Sequence, residues 1–82
     1  MRVDKYLKVS RLLKRRSVAC DACSEGLIFV NGKQSKPGAR LKLGDILDIK
    51  LGSSSLKVKV VALNEKASKA QANTLYEIMQ EN

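Results

Sequence analysis

The first sixteen positions of the chain repeat apolar residues at the spacing of one face of a helix. On a projection of about 100° per residue, one side carries Val3, Tyr6, Leu7, Ser10 and Leu13. The opposite side carries the cations Lys5, Lys8, Arg11 and Arg15. This pattern predicts a single amphipathic helix over residues 1–16, which packs its apolar face on the domain and leaves its basic face in water.

A second, shorter helix is predicted over residues 18–24. Ser17 is a good N-cap residue, and Gly26 is placed to end the helix. Cys20 and Cys23 have a C-x-x-C spacing within it. Because this motif lacks a preceding strand and a second pair of metal ligands, two small buried or half-buried thiols are favoured over a redox motif or a metal site.

The rest of the chain predicts strands and turns, followed by a stretch of helix-forming residues. Residues 27–30 predict a strand that runs into the tight turn Asn31-Gly32. Alternating apolar residues at 46–51 and 56–60 predict a hairpin around a turn of glycine and serine. Residues 67–82 predict a C-terminal helix, which either packs back on the domain or meets a protein partner. The predicted class is therefore α+β.

Most of the positive charge lies at the start of the chain. The chain has 16 Lys and Arg against 8 Asp and Glu, a net charge of +8. Residues 1–16 hold seven of these cations and one acid, Asp4, so they account for +6. Charge concentrated on one helix face predicts a docking surface for a polyanion. Two alternatives remain open: the cations at positions 14–16 stabilise a helix end, and the loop after residue 32 is merely solvated.

The candidate RNA-binding residues are the cations of the first helix and two from the following loop. They are Arg2, Lys5, Lys8, Arg11, Lys14, Arg15, Arg16, Lys33 and Lys36. Asp4 is expected to orient Arg2 or Lys5, or to cap the first helix, and Ser17 is expected to cap the second. The chain has only three aromatic residues, which favours recognition of phosphates and folded RNA shape over stacking on single bases.

Composition argues against an enzyme, a cofactor or a membrane protein. The chain has no histidine, and its only thiols are Cys20 and Cys23, so we can assemble neither an acid-base constellation nor a metal site. No apolar run approaches the length of about 20 residues that a membrane span needs, and a cytoplasmic protein is expected. A basic module for an acidic protein or an anionic membrane is the rival class, although the apolar helix face is needed for the core.

Residues 3–32 resemble the RNA-binding domain named after small-subunit ribosomal protein S-four. The likeness is carried by Arg2-x-Asp4-Lys5-x-Leu7, Ser10-Arg11-Leu12, Lys14-Arg15-Arg16-Ser17-x-Ala19, Gly26-x-Ile28-x-Val30-Asn31-Gly32, Lys36-Pro37 and Gly44-Asp45. The resemblance implies the αL fold, in which two helices pack on a small bent antiparallel sheet. It implies that the first helix, the start of the second and the following loop grip structured RNA. Residues 1–63 would form this domain, and residues 64–82 a helical extension packed on it.

Within that family, the start of the chain is similar to bacterial factors of ribosome-associated quality control, which are related to heat shock protein 15. This likeness implies binding to 23S rRNA of the large ribosomal subunit and to peptidyl-tRNA in the P site. It also implies a partner protein that delivers alanyl-tRNA, so that the stalled nascent chain receives an alanine tail. We expect a monomer. The alternative within the family is a heat shock protein 15-like or ribosome-assembly role.

Overall fold

The computed structural model describes residues 1–81, which form an α+β domain with one antiparallel sheet. Two helices come first: α1 (Val3–Val9) and α2 (Arg16–Ser24). The strands are β1 (Ile28–Val30), β2 (Lys33–Gln34), β3 (Ile46–Leu51), β4 (Ser54–Val60) and β5 (Tyr76–Glu81), and a 3-10 helix (Lys69–Thr74) precedes the last one. The strand order is β2-β1-β3-β4-β5. The predicted class and the two N-terminal helices with a small antiparallel sheet are confirmed.

The core joins α1 to the inner face of the sheet. Tyr6 and Leu7 are fully buried, together with Leu47, Ile49 and Val58 from β3 and β4. The predicted apolar face of the N-terminal segment is therefore the face that packs. Each of these large side chains contributes about 1.5–3 kcal/mol when it leaves water, so the core fixes α1 firmly on the sheet.

The first helix is much shorter than predicted. It ends at Val9, with Ser10 as its C-cap, and Arg11 has the left-handed backbone conformation (φ 59°). The Leu13 amide then donates a hydrogen bond to the Leu7 carbonyl (3.0 Å). A continuous helix over residues 1–16 is thus wrong, because the chain must turn back to bring α2 against α1.

The start of α2 also differs from the prediction. The helix begins at Arg16, and Arg15 occupies the N-cap position in an extended conformation without a side-chain cap. Ser17 therefore lies in the first turn and is not the N-cap residue. The structure places Ala19 and Cys23 in the core, whereas Cys20 is half-buried.

The predicted C-terminal helix is wrong over the described residues. After the 3-10 helix the chain forms β5, which pairs with β4 in antiparallel register. Hydrogen bonds to the carbonyl of Leu75 explain why this segment forms a strand and not a helix. The carbonyl accepts hydrogen bonds from the Tyr6 hydroxyl (2.6 Å) and from the amides of Val61 (3.0 Å) and Ala62 (3.1 Å). These bonds bring the chain to the open edge of β4. Asn82, the last residue of the predicted helix, lies outside the described residues.

The two predicted turns and strands in the middle of the chain agree closely with the structure. Asn31 and Gly32 both have positive φ (52° and 84°), as a tight hairpin turn between β1 and β2 requires. The Asn31 side chain also accepts from the Ile46 amide (2.9 Å) and donates to Asp45 (3.1 Å). β3 has the predicted bounds, and β4 begins two residues earlier than predicted. None of the helices within residues 1–81 has the length and apolar character needed to span a membrane.

Candidate nucleic-acid interface

A buried carboxylate holds two arginines together where α1 and α2 begin. The side chain of Asp4 is only 4% exposed. It accepts bonds from Nε (3.2 Å) and Nη2 (3.1 Å) of Arg2, and the Nε of Arg16 lies 3.5 Å from its Oδ2. It also accepts a bond from the Lys5 amide (2.7 Å), in the first turn of α1. We call Arg2, Asp4 and Arg16 the arginine cluster.

The loop after β2 supports the arginine cluster from the other side. The backbone of Arg2 forms a bridge with Arg40, and the Asp4 amide donates to the Pro37 carbonyl (3.1 Å). A side chain at Gly38 would lie against the Arg2 guanidinium, with its Cβ 3.5 Å from Nη2. This is an ordinary van der Waals distance, so the loop lies directly against the Arg2 side chain. The resemblance indicated a role for the loop, but sequence reasoning did not identify Gly38 as the contact.

Most of the remaining cations of the N-terminal segment are exposed and have no acidic neighbour among the described residues. Lys8, Arg11, Lys14 and Arg15 are exposed, and within residues 1–81 no carboxylate lies within 4 Å of their charged groups. We call these four side chains the basic face. Lys5 differs, because its Nζ lies 3.7 Å from Glu65. Helical periodicity thus identified the exposed cations, although the helix that suggested it ends early.

Lys33 and Lys36 lie apart from the basic face. Both are exposed and line an open groove of about 600 Å³ with Val30, Gly38 and Ala39. This groove lies next to Arg2, because Arg2 contacts Gly38. The structure therefore connects the two loop cations to the arginine cluster through the loop, and not through α1.

The cations of β3 and β4 lie near acids. Lys50 Nζ lies 3.5 Å from Asp48, Lys57 is opposite Asp48 in the β3–β4 register, and Lys59 is opposite Glu77 in the β4–β5 register. Opposite charges in cross-strand positions offset one another. The charges of these two strands are therefore largely offset, unlike those of the basic face.

Neither the buried thiol nor the buried phenol is an activated nucleophile. Burial raises the pKa of Cys23 to about 11, with smaller contributions from Asp4 and then Cys20. Burial, followed by the nearby Tyr76, also raises the pKa of Tyr6. Both groups are therefore protonated at neutral pH, whereas a nucleophilic thiol requires a lowered pKa. No group of three or more potential metal-ligating side chains occurs in the described part of the chain.

Comparison with known sequences places this surface in a family. The sequence model of the S4 domain, the S-four family, matches residues 1–47, which include the arginine cluster and the loop beside it. The chain belongs to the S4 domain family. The match covers both helices of the S4 domain, β1, β2 and the beginning of β3.

Two relatives of this S4 domain chain have curated names. The RQC P-site tRNA stabilizing factor of Listeria innocua is 49% identical over 81 residues, which cover 99% of this chain and 88% of that protein. The chain therefore also belongs to the family of these factors. The heat shock protein 15 homolog of Aeromonas salmonicida is 35% identical over 78 residues, which cover 94% of this chain and 59% of that protein.

A solved structure supports the same fold for the S4 domain chain. The trimeric structure of Vibrio cholerae heat shock protein 15 has a TM-score of 0.88, covering 96% of this chain and 81% of that chain. Its sequence identity is 24%, so this likeness concerns the fold alone.

Proposed function

We propose that this protein is a non-enzymatic RNA-binding factor of ribosome-associated quality control. It binds a large ribosomal subunit that retains peptidyl-tRNA, contacts 23S rRNA and the tRNA, and stabilises the tRNA in the P site. A partner protein then delivers alanyl-tRNA, and the nascent chain receives its alanine tail. The observation that carries the proposal is the arginine cluster beside a basic face without nearby acids. The name of the relatives in Listeria innocua supports the choice of tRNA and P site.

The arginine cluster is suited to phosphate because each guanidinium keeps donors for a ligand. Arginine has five N–H donors. Asp4 accepts hydrogen bonds from two nitrogens of Arg2, and its contact with Arg16 is an ion pair. The side chains of Arg2 and Arg16 are 49% and 48% exposed, so their remaining donors face solvent. Planar bidentate donation is the strongest way in which a protein side chain holds a phosphate group. Asp4 acts as a positioning residue, since it holds both guanidinium groups and is itself buried.

The first turn of α2 adds backbone donors to the same region. Its first amides have no side-chain cap, and the positive end of the helix dipole lies beside Arg15 and Arg16. An RNA phosphate at this position would receive both amide and guanidinium hydrogen bonds. This arrangement explains why two consecutive arginines stand at a helix start, where their charge opposes the dipole.

The basic face and the arginine cluster together can bind two RNA strands at once. A rigid body that carries cations between two polyanions removes their mutual repulsion and fixes their spacing. If about six phosphates are engaged, the logarithm of the binding constant should fall with the logarithm of salt concentration with a slope of about −4 to −5. We further propose that the protein acts in the cytoplasm as a monomer.

Co-sedimentation with purified large subunits across a salt series tests the proposal. Subunits with and without bound peptidyl-tRNA are compared for the wild type and for Arg16→Ala. We expect selective binding to the particle with peptidyl-tRNA. Arg16→Ala should bind about 10- to 100-fold more weakly, because a charge-assisted contact contributes about 1.5–3 kcal/mol. Lys59→Ala is the matched control, since it removes an exposed cation from the sheet opposite Glu77.

The other outcomes identify the rival functions. Equal binding to empty and occupied subunits would contradict the quality-control role and favour a general rRNA-binding or assembly role. The similarity to the heat shock protein 15 homolog favours that alternative. Absence of binding to both particles would reject an rRNA interface and favour binding to an acidic protein or an anionic membrane.

A further inference from the structure

A second surface lies on α2, on the side away from the arginine cluster. It is a hollow of about 260 Å³ between α2 and the end of β3. Its apolar lining is formed by Leu13, Val18, Ala22, Leu27 and Leu51, and its rim carries Asp21 and Glu25. We call it the α2 hollow. We propose that it docks a protein segment that presents an apolar side chain flanked by lysine or arginine.

Two apolar residues of the α2 hollow are exposed. Val18 is 45% exposed and Leu51 is 44% exposed, and both line the same hollow from different elements. Single exposed apolar residues are common on soluble proteins, but here two of them line one concave site, where a partner side chain can contact both. Leu13, Ala22 and Leu27 would also shield an apolar side chain of a partner from water here.

The rim of the α2 hollow determines the charge of the partner. Asp21 and Glu25 are one helical turn apart, and like charges at this spacing repel each other. Both are exposed, and no cation lies within 4 Å of either carboxylate in the part of the chain that the structure describes. Lys50 lines the hollow with its stem, but its Nζ lies 3.5 Å from Asp48 and 5.9 Å from the Phe29 ring centre.

Four of the other six acids lie close to a polar partner, and Glu77 and Glu81 lie on β5, away from any hollow described above. Asp4 holds two arginines, Glu65 pairs with Lys5, and Asp45 accepts bonds from Asn31 and the Lys42 amide. The acidic pair on α2 differs from Glu77 and Glu81 because it lies at the rim of an apolar hollow, in a protein of net charge +8. Its field repels phosphate, so the occupant of the α2 hollow is a basic protein segment and not RNA.

The length of α2 allows the two surfaces to act independently. Arg16 and Glu25 are at opposite ends of the helix, about 13 Å apart at 1.5 Å per residue. This distance exceeds the screening length of about 8 Å at physiological salt. The protein can therefore hold RNA at the start of α2 while a basic protein segment docks near its end.

Nuclear magnetic resonance titration of the full chain tests this inference with defined probes. The probes are an amphipathic peptide of leucine and lysine, its counterpart of leucine and glutamate, and a purified tRNA. We expect the lysine peptide to shift the resonances of Val18, Asp21, Glu25 and Leu51 with a dissociation constant below 1 mM. The glutamate peptide should not do so.

Two variants and two matched controls complete the test. Asp21→Lys/Glu25→Lys, and separately Val18→Ser/Leu51→Ser, should weaken binding of the lysine peptide by about tenfold or more, while tRNA binding stays the same or becomes tighter. Glu77→Lys/Glu81→Lys makes the same charge change on β5, and Ile78→Ser alters an apolar residue that is 52% exposed there. Both controls should keep peptide affinity. Circular dichroism checks that each variant is folded.

Three results would overturn the inference, and each is separable from a failure of the proposed function. The docking site would be rejected if 1 mM lysine peptide did not shift the resonances of the α2 hollow, or if it shifted them equally in both α2 hollow variants. Loss of tRNA affinity in Asp21→Lys/Glu25→Lys would assign the hollow to the RNA interface. Concentration-dependent self-association that this variant abolishes would make a second copy the occupant. The tRNA titration of the wild type tests RNA binding by itself.

Discussion

Replacement of Asp4 by asparagine separates the effect of charge from the effect of position. Asp4→Asn keeps the size of a side chain that is 4% exposed, but removes the carboxylate that holds Arg2 and Arg16. The net charge of the chain rises from +8 to +9. If only total charge determined RNA affinity, the variant would bind RNA more tightly. If Asp4 positions the two arginines, the variant binds RNA more weakly.

The size of the effect follows from the side chains that lose their order. Immobilising a long side chain on binding costs about 0.5–1.5 kcal/mol, and Asp4 removes this cost for two arginines in advance. The loss is therefore about 1–3 kcal/mol, partly offset by the added charge, and we expect RNA binding about tenfold weaker. The fold should lose about 1–2 kcal/mol, since both arginines are half exposed and water can solvate them.

Filter binding or co-sedimentation with large subunits at several salt concentrations measures the affinity, and thermal unfolding measures the stability. Asp48→Asn is the control, because it removes a carboxylate from the sheet near Lys50 and raises the net charge equally. The reasoning fails if Asp4→Asn binds as tightly as Asp48→Asn with the same dependence on salt. In that event the arginines would need no fixed orientation.

Three further predictions concern other parts of the fold. Arg11→Gly should stabilise the fold by about 1 kcal/mol, because residue 11 has φ 59° and glycine adopts a positive φ without strain. Loss of this cation should also reduce the salt slope of RNA binding by about 0.7–0.9. Lower thermal stability would contradict the first expectation. Tyr6→Phe should lower the free energy of unfolding in urea by about 1 kcal/mol, because the Leu75 carbonyl keeps its two backbone donors. An unchanged urea midpoint would show that the 2.6 Å hydrogen bond contributes nothing to stability. With a pKa of about 11, about one Cys23 thiol in a thousand is ionised at pH 8. Iodoacetamide should therefore modify half-buried Cys20 first, and its reaction with Cys23 should become faster as the pH rises towards 11. Equal rates of modification of the two thiols at pH 8, measured by mass spectrometry, would refute this.

The local signals in the sequence determined much of the middle of the fold. Alternation of apolar and polar residues located β3 exactly, and Asn31-Gly32 located a hairpin turn, because both depend on neighbouring residues alone. Periodicity also separated buried from exposed residues in the N-terminal segment. The division of the chain at residue 63 and the roles of the nine candidate RNA-binding cations stay predictions.

Tertiary structure decided what lies between and beyond these local signals. Helix propensity favoured a helix after residue 67, but the open edge of β4 and the bonds to the Leu75 carbonyl gave the chain a strand instead. The first helix ended at Val9, because α2 must fold back to bury Ala19 and Cys23. Propensity is worth less than 1 kcal/mol per residue, so backbone pairing and burial override it.

The candidate site shows the same division between local and long-range information. The sequence by itself determined that the N-terminal segment carries most of the net charge, since charge depends only on composition. Only the fold decided that Arg2 and Arg16, fourteen positions apart, share the carboxylate of Asp4, and that Gly38 lies against Arg2. Contacts between separate elements require the turn at Arg11 and the packing of α2 on α1, which no local pattern specifies.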